Sequence, residues 1–202
     1  MRMTISTITL AATLALAGCG PKGEKAADET GNSISNVSDV TGNAIVNAAT
    51  DVKEAVSAVP TSQEFVDKAA KSDAFEIASA KLATDKANSA DLKAFAAMMI
   101  RDHTGSTAKI KAAASAAMPA IIPDAALTDD QKDKLADLGK LSGKDFDKAY
   151  ADQQVDAHQA ALSLMKLYSD KGDAASLKVA AAEIAPKVQE HLDKIKALRR
   201  AQ

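Results

Sequence analysis

Four long segments with helical periodicity are separated by two short turns and one long connection, and this spacing restricts the fold more than any other feature. The apolar residues of the first segment, about 62–86, include Phe65, Ala69, Ala80 and Ala83. The second, about 90–117, carries Leu92, Phe95, Met99 and Ile110. The third, about 144–170, carries Val155, Leu162 and Met165, and the fourth, about 174–200, carries Leu177, Ala181, Ile184, Val188, Ile195 and Leu198. Steps of three and four residues put each set on one helix face. The first and second segments, and the third and fourth, are joined too tightly to be anything but antiparallel hairpins. About 25 residues join the hairpins, long enough to run the length of a bundle. That connection contains Pro119, Pro123 and Gly143, and within it Thr128 caps a short helix over about 129–139.

Composition agrees with helix on helix. The 202 residues are 47% hydrophobic but only 3% aromatic, with no Trp, and alanine dominates. Alanine loses least side-chain entropy in a helix and allows close packing. The reading is all-α: two helical hairpins joined by a crossover with a short helix, the connectivity of ferritin-like four-helix bundles. A plain up-down-up-down bundle with an overlong loop has the same segment lengths. Thr61 or Ser62 starts the domain, with Glu64 in the first turn. Net charge is −2 with both signs interspersed, so no basic field exists to hold nucleic acid.

The chain begins with Arg2, a short apolar run from Ile8 to Ala17, and then Leu16-Ala17-Gly18-Cys19. The run fits a signal segment and is too short to span a bilayer as a stable helix. An apolar residue, two small residues and a cysteine look like a bacterial lipobox. Residues 1–18 are therefore read as a lipoprotein signal peptide, and Cys19, the sole cysteine, as the acylated N-terminus. Two or three acyl chains anchor firmly at ~0.8 kcal/mol per buried methylene. Gly20, where Asp would favour inner-membrane retention, points to the outer membrane and a periplasm-facing domain. Residues 19–60 form the lipidated cysteine and a flexible tether. Their Gly, Asn, Ser and charge cannot offset ordering entropy, although Ile45, Val52, Val56 and Val59 recur at helical steps before Pro60. The folded domain is then 61–202.

Three histidines interrupt the apolar faces: His103 on the second segment, His158 on the third and His191 on the fourth. The first has Glu76 on its apolar stripe instead. Glu76 lies about 11 residues before its turn and His103 about 15 after it; His158 lies about 13 before the second turn and His191 about 19 after it. At a rise of ~1.5 Å per residue all four fall in the middle of the bundle, His191 being the outlier behind Pro186. One carboxylate and three imidazoles thus converge. Two uses fit: coordination of a transition metal (Fe, Cu, Zn or Mn), or a hydrogen-bond network that knits the core. Acidic neighbours at Asp102, Asp156 and Glu190 point away from their own histidine but can orient one on an adjacent helix. Met99, one turn before His103, adds a thioether that suits Cu(I) or simply fills the core. Asp147 and Tyr150 lie one turn apart, and the Tyr150 hydroxyl either serves the site or caps the core.

The stretches "FAAMMIRDHTGST", "GKDFDKAYADQQVDAHQAAL" and "IAPKVQEHLDKIKAL", preceded by "SDAFEIASAKLA", resemble the bacterial domain of unknown function numbered 4142 over about residues 62–198. That resemblance implies a ferritin-like bundle in an exported or outer-membrane protein. It points to Glu76, Asp102, His103, Asp147, Tyr150, His158 and His191, with no established activity. The chain departs from di-iron carboxylate bundles: three residues before each histidine stand Ile100, Val155 and Val188, none of which can ligate. There is also no phosphate-binding Gly-rich loop, His-Glu-x-x-His or Gly-x-Ser-x-Gly. The sequence therefore leans away from an enzyme. It leaves a membrane-anchored metal-binding lipoprotein, for storage, sensing or envelope stress, or a non-catalytic envelope structural or interaction protein whose histidines form a core network.

Overall fold

The computed structural model describes residues 58–201. The expected signal peptide over 1–18, the expected lipidation site at Cys19 and the expected tether as far as residue 57 lie outside the described residues. Helix α1 spans Ser62–Lys86, α2 Ala90–Ser115, α3 Asp129–Lys140, α4 Gly143–Lys171 and α5 Ala175–Arg200. There is no strand among the described residues, only a single bridge between Ala87 and Gly143. None of these helices is long and apolar enough to cross a membrane.

The caps follow local chemistry. Thr61 Oγ1 accepts the Glu64 N–H while the Glu64 carboxylate accepts the Thr61 N–H, a closed capping box. Thr128 and Gln131 repeat the device on α3. Helix α2 ends at Ser115, two residues short of the expected Ala117, in a turn before Pro119. Helix α5 runs through Pro186 without interruption. The missing N–H leaves one carbonyl, that of the exposed Ala182, to solvent.

Helices α1 and α2 pack as one hairpin and α4 and α5 as the other; α1 also lies on α4, and α2 on α5. The long connection decides between the two bundle topologies. It starts at the first-turn end of α1, where Gln63 donates to the Ile122 carbonyl (3.1 Å) and the Asp124 N–H donates to Asp67 (2.8 Å). Lys71 pairs with Asp124, and its carbonyl accepts from Gln131. It finishes at the far end of α1, where the Lys86 ammonium donates to the carbonyls of Gly139 and Leu141. The crossover therefore runs the whole length of α1, and α4 starts beside the end of α1. This is the ferritin-like arrangement of two hairpins, and the plain up-down-up-down alternative is excluded.

Two details position the core. Asp147, on the first turns of α4, accepts the backbone N–H groups of Asn88 (2.8 Å) and Ser89 (2.9 Å). It clamps the α1–α2 turn rather than serving the histidines. At the opposite end Tyr168 stacks on Phe65 with ring centroids 3.9 Å apart, and its hydroxyl joins Ser62 and Asp173.

Candidate metal centre

His103 on α2, His158 on α4 and His191 on α5 all face the bundle axis, each no more than 5% exposed. Their ring centroids are 5.7, 5.7 and 5.6 Å apart, a nearly equilateral triangle. One ring nitrogen from each lies within 4.8 Å of the others.

The second nitrogen of every ring is engaged. His103 Nδ1 donates to Asp73 Oδ1 (2.7 Å), His158 Nδ1 to the Gln154 carbonyl one turn back (2.7 Å), and His191 Nε2 to Asp102 Oδ2 (3.0 Å). Carboxylates and carbonyls only accept, so these nitrogens carry the hydrogen. In a neutral imidazole the other nitrogen is then a lone pair. Those atoms, His103 Nε2, His158 Nε2 and His191 Nδ1, are buried without a hydrogen-bond partner. With all three rings neutral, three acceptors face one another with no donor between them. Fixing a ring's tautomer through its remote nitrogen is how proteins orient imidazole ligands.

Burial also sets the charge states. It pushes His158 down to about 3, assisted by the neighbouring His103 and His191 rings. His191 is lowered for the same first reason, with Asp102 opposing. Burial acts on His103 in the same direction, but the Asp73 hydrogen bond and the charges of Glu76, Asp73 and Asp102 outweigh it and hold His103 above the ordinary imidazole value. Burial works against the Asp102 carboxylate, yet hydrogen bonds from His191 and Arg101 keep it below its ordinary value.

Helix α1 contributes differently from the expectation. The converging group consists of the three imidazoles, and the Glu76 carboxyl is not in it. Glu76 stands one turn along α1 from Asp73, fully buried, with neither oxygen hydrogen-bonded. The Gln154 side chain beside it gives its amide to Ser79 instead (3.1 Å). Burial raises Glu76 to about 7, against the opposing charge of His103. Asp73, not singled out in the sequence, is the residue of α1 that touches a histidine. It fills the step between Ala69 and Glu76 on the same stripe, so helical spacing alone could have found it. Asp102 does orient a histidine on the adjacent helix, whereas Asp156 is exposed and Glu190 pairs with Lys187 at the surface. Tyr150 lies in the core, its ring 6.5 Å from Phe95 and its buried hydroxyl unpartnered. Met99 is part of the apolar core. Met165 is the thioether that shares a cavity with His103 and His191.

Fold and site together define a ferritin-like helical bundle with a buried histidine triad. The model of the family described as "Domain of unknown function (DUF4142)" matches residues 47–198, and the chain belongs to that family. No curated protein matches it. Among solved structures, CopM in the Cu(I)-bound form superimposes with a TM-score of 0.58 at 18% identity, covering 70% of this chain and 97% of CopM. The Cu(II)-bound form gives 0.59 at 18% identity over 71% and 99%. The Ag-bound form gives 0.57 at 20% identity over 70% and 97%. At these identities the likeness is one of fold.

Proposed function

We propose that this protein is a membrane-anchored, periplasm-facing lipoprotein whose bundle core binds a transition metal ion through His103, His158 and His191. The observation that carries the reading is the set of three buried ring nitrogens without a hydrogen-bond partner, each on a ring fixed from its other side. An unpaired buried acceptor costs ~1–3 kcal/mol. A core network would place donors against these nitrogens, and a cation removes the cost of all three at once. Neutral imidazole suits copper, zinc, iron and nickel. Copper is favoured within that set by the likeness in fold to CopM, which has been solved with copper and silver bound. Asp73 and Asp102 supply outer negative charge, and Glu76 adds a third carboxyl one turn away. The residues suit holding an ion for storage, sensing or envelope stress.

The test is metal uptake by the metal-free full chain, followed by calorimetry with Cu, Zn, Fe and Mn. The wild type is expected to take up one equivalent. His103→Ala should bind more weakly by at least the ~10–100-fold that losing an outer partner alone costs. Indifference of the wild type to all four metals would return the histidines to a purely structural role. The anchor is checked separately. Cys19→Ser is expected to abolish acyl labelling and to move the protein from the membrane to the soluble fraction, and unchanged membrane association would remove the lipoprotein assignment.

A further inference from the structure

The two sides of the histidine triad differ. Toward the α1–α2 turn it is roofed by Phe95, whose ring centroid is 6.4 Å from those of both His158 and His191. Toward the opposite end lies a cavity of about 30 Å³, with His103 and His191 in its wall beside Asp102, Ser106 and Met165. A cavity needs roughly 10–15 Å³ to hold one water, so this one admits a water or a ligand of two or three atoms. Asp102, Ser106, Ile184 and Lys187 also line a surface groove of about 380 Å³ between α2 and α5, so the groove adjoins the cavity across these four side chains. The groove is open at Gly105, where a Cβ would meet nothing within 4 Å.

Resting on the metal reading above, we propose that this cavity is an exchangeable coordination position, where a water or a small monodentate anion reaches the ion through the seam between α2 and α5. Three protein nitrogens with one open side are the arrangement in which a metal keeps a replaceable ligand, whereas closed structural sites supply four protein ligands. The wall fits such a ligand. The Ser106 hydroxyl and the Lys187 ammonium at the mouth are hydrogen donors, and Met165, Leu164 and Ile184 exclude bulk water from the rest. Asp102 stands at the junction, one oxygen on His191 inside and the other on Arg101 outside. Exchange is a substitution: the incoming anion bonds to the ion, the water leaves, and no electron moves.

The probe is azide added to the full chain loaded with Cu(II). The expected result is a saturable azide-to-copper charge-transfer band in the wild type. In Ser106→Leu, which fills the cavity from α2, azide should bind at least 10-fold more weakly while one equivalent of copper stays bound. Ala161→Leu fills it from α4 and should act the same way if Ser106→Leu does not fold. Copper-loaded wild type with no azide band overturns this proposal alone. So does an undiminished band in a folded filling variant. Failure to bind copper or any of the other metals overturns the metal reading itself and is visible before azide is added.

Discussion

Phe95→Ala is expected to destabilise the protein by about 3–5 kcal/mol, the usual cost of removing a phenyl ring from a core that cannot collapse around the gap. Phe95 is 0% exposed, and its ring touches three others: Tyr150 at 6.5 Å and His158 and His191 at 6.4 Å between centroids. Those neighbours come from α4 and α5, and the two histidines are held by their own hydrogen bonds, so they cannot move in to fill the space. Urea unfolding of the metal-free protein is the measurement, with the midpoint falling by more than 1 M at a slope of ~1–3 kcal/mol per M. Val179→Ala, at a position 59% exposed, serves as the control and should leave the midpoint in place. A loss below 1 kcal/mol at Phe95 would mean that the roof over the triad is soft.

The roof also explains why some of the site was legible in the sequence and some was not. A periodic face reports which residues point inward, and His103, His158 and His191 each occupy an apolar step of their helix. Depth along the bundle follows from counting residues to the turns, because rise per residue is nearly constant. Pro186 did not spoil the count, since α5 continues past it and lets His191 reach the others. Partner choice is another matter. Asp73 and Glu76 share one stripe three residues apart, and periodicity ranks them equally. Which of them meets His103 depends on about one turn of relative height between α1 and α2, and the turn at Ala87–Ser89 and its Asp147 clamp set that height. The His158 partner is a main-chain carbonyl of its own helix, which no side-chain pattern encodes. Met99 and Met165 were likewise equivalent as apolar steps, and only the packing distinguishes the one in the core from the one at the cavity.

The crossover shows the same division. Its length limited the topology to two choices, and the residues that settle between them are ordinary surface groups. Gln63, Asp67, Lys71 and Lys86 read as the solvated face of α1, and each turns out to hold a successive point of the connection. Exposed polar residues at helical spacing carry no mark of what lies over them, so the sequence favours a bundle more strongly than it favours one way of wiring it.

Glu76→Gln tests the remaining anomaly, a fully buried acid beside the triad. Burial raises its pKa from 4.5 to about 7, so the folded chain binds this proton more tightly than the unfolded chain does. Stability is then greatest below the ordinary value and declines as pH rises through the folded value, because above it the fold must carry a buried charge. A displacement of this size corresponds to about 3 kcal/mol between the two limits. Glutamine keeps the shape and removes the charge. Its amide can donate to the Tyr150 hydroxyl or to Gln154 Oε1, neighbouring buried acceptors that lack partners. The metal-free variant is therefore expected to be more stable than the wild type by up to about 3 kcal/mol at pH 8, with the two converging at pH 5 and below. His103, held up in part by the Glu76 charge, loses some of its own rise in the variant, which flattens the pH dependence further. Urea titrations at pH 5 and 8 in the presence of a chelator measure the difference. Parallel curves for the two proteins would mean that Glu76 finds solvent or a donor in the folded state, and a neutral, buried carboxyl would have to be given up.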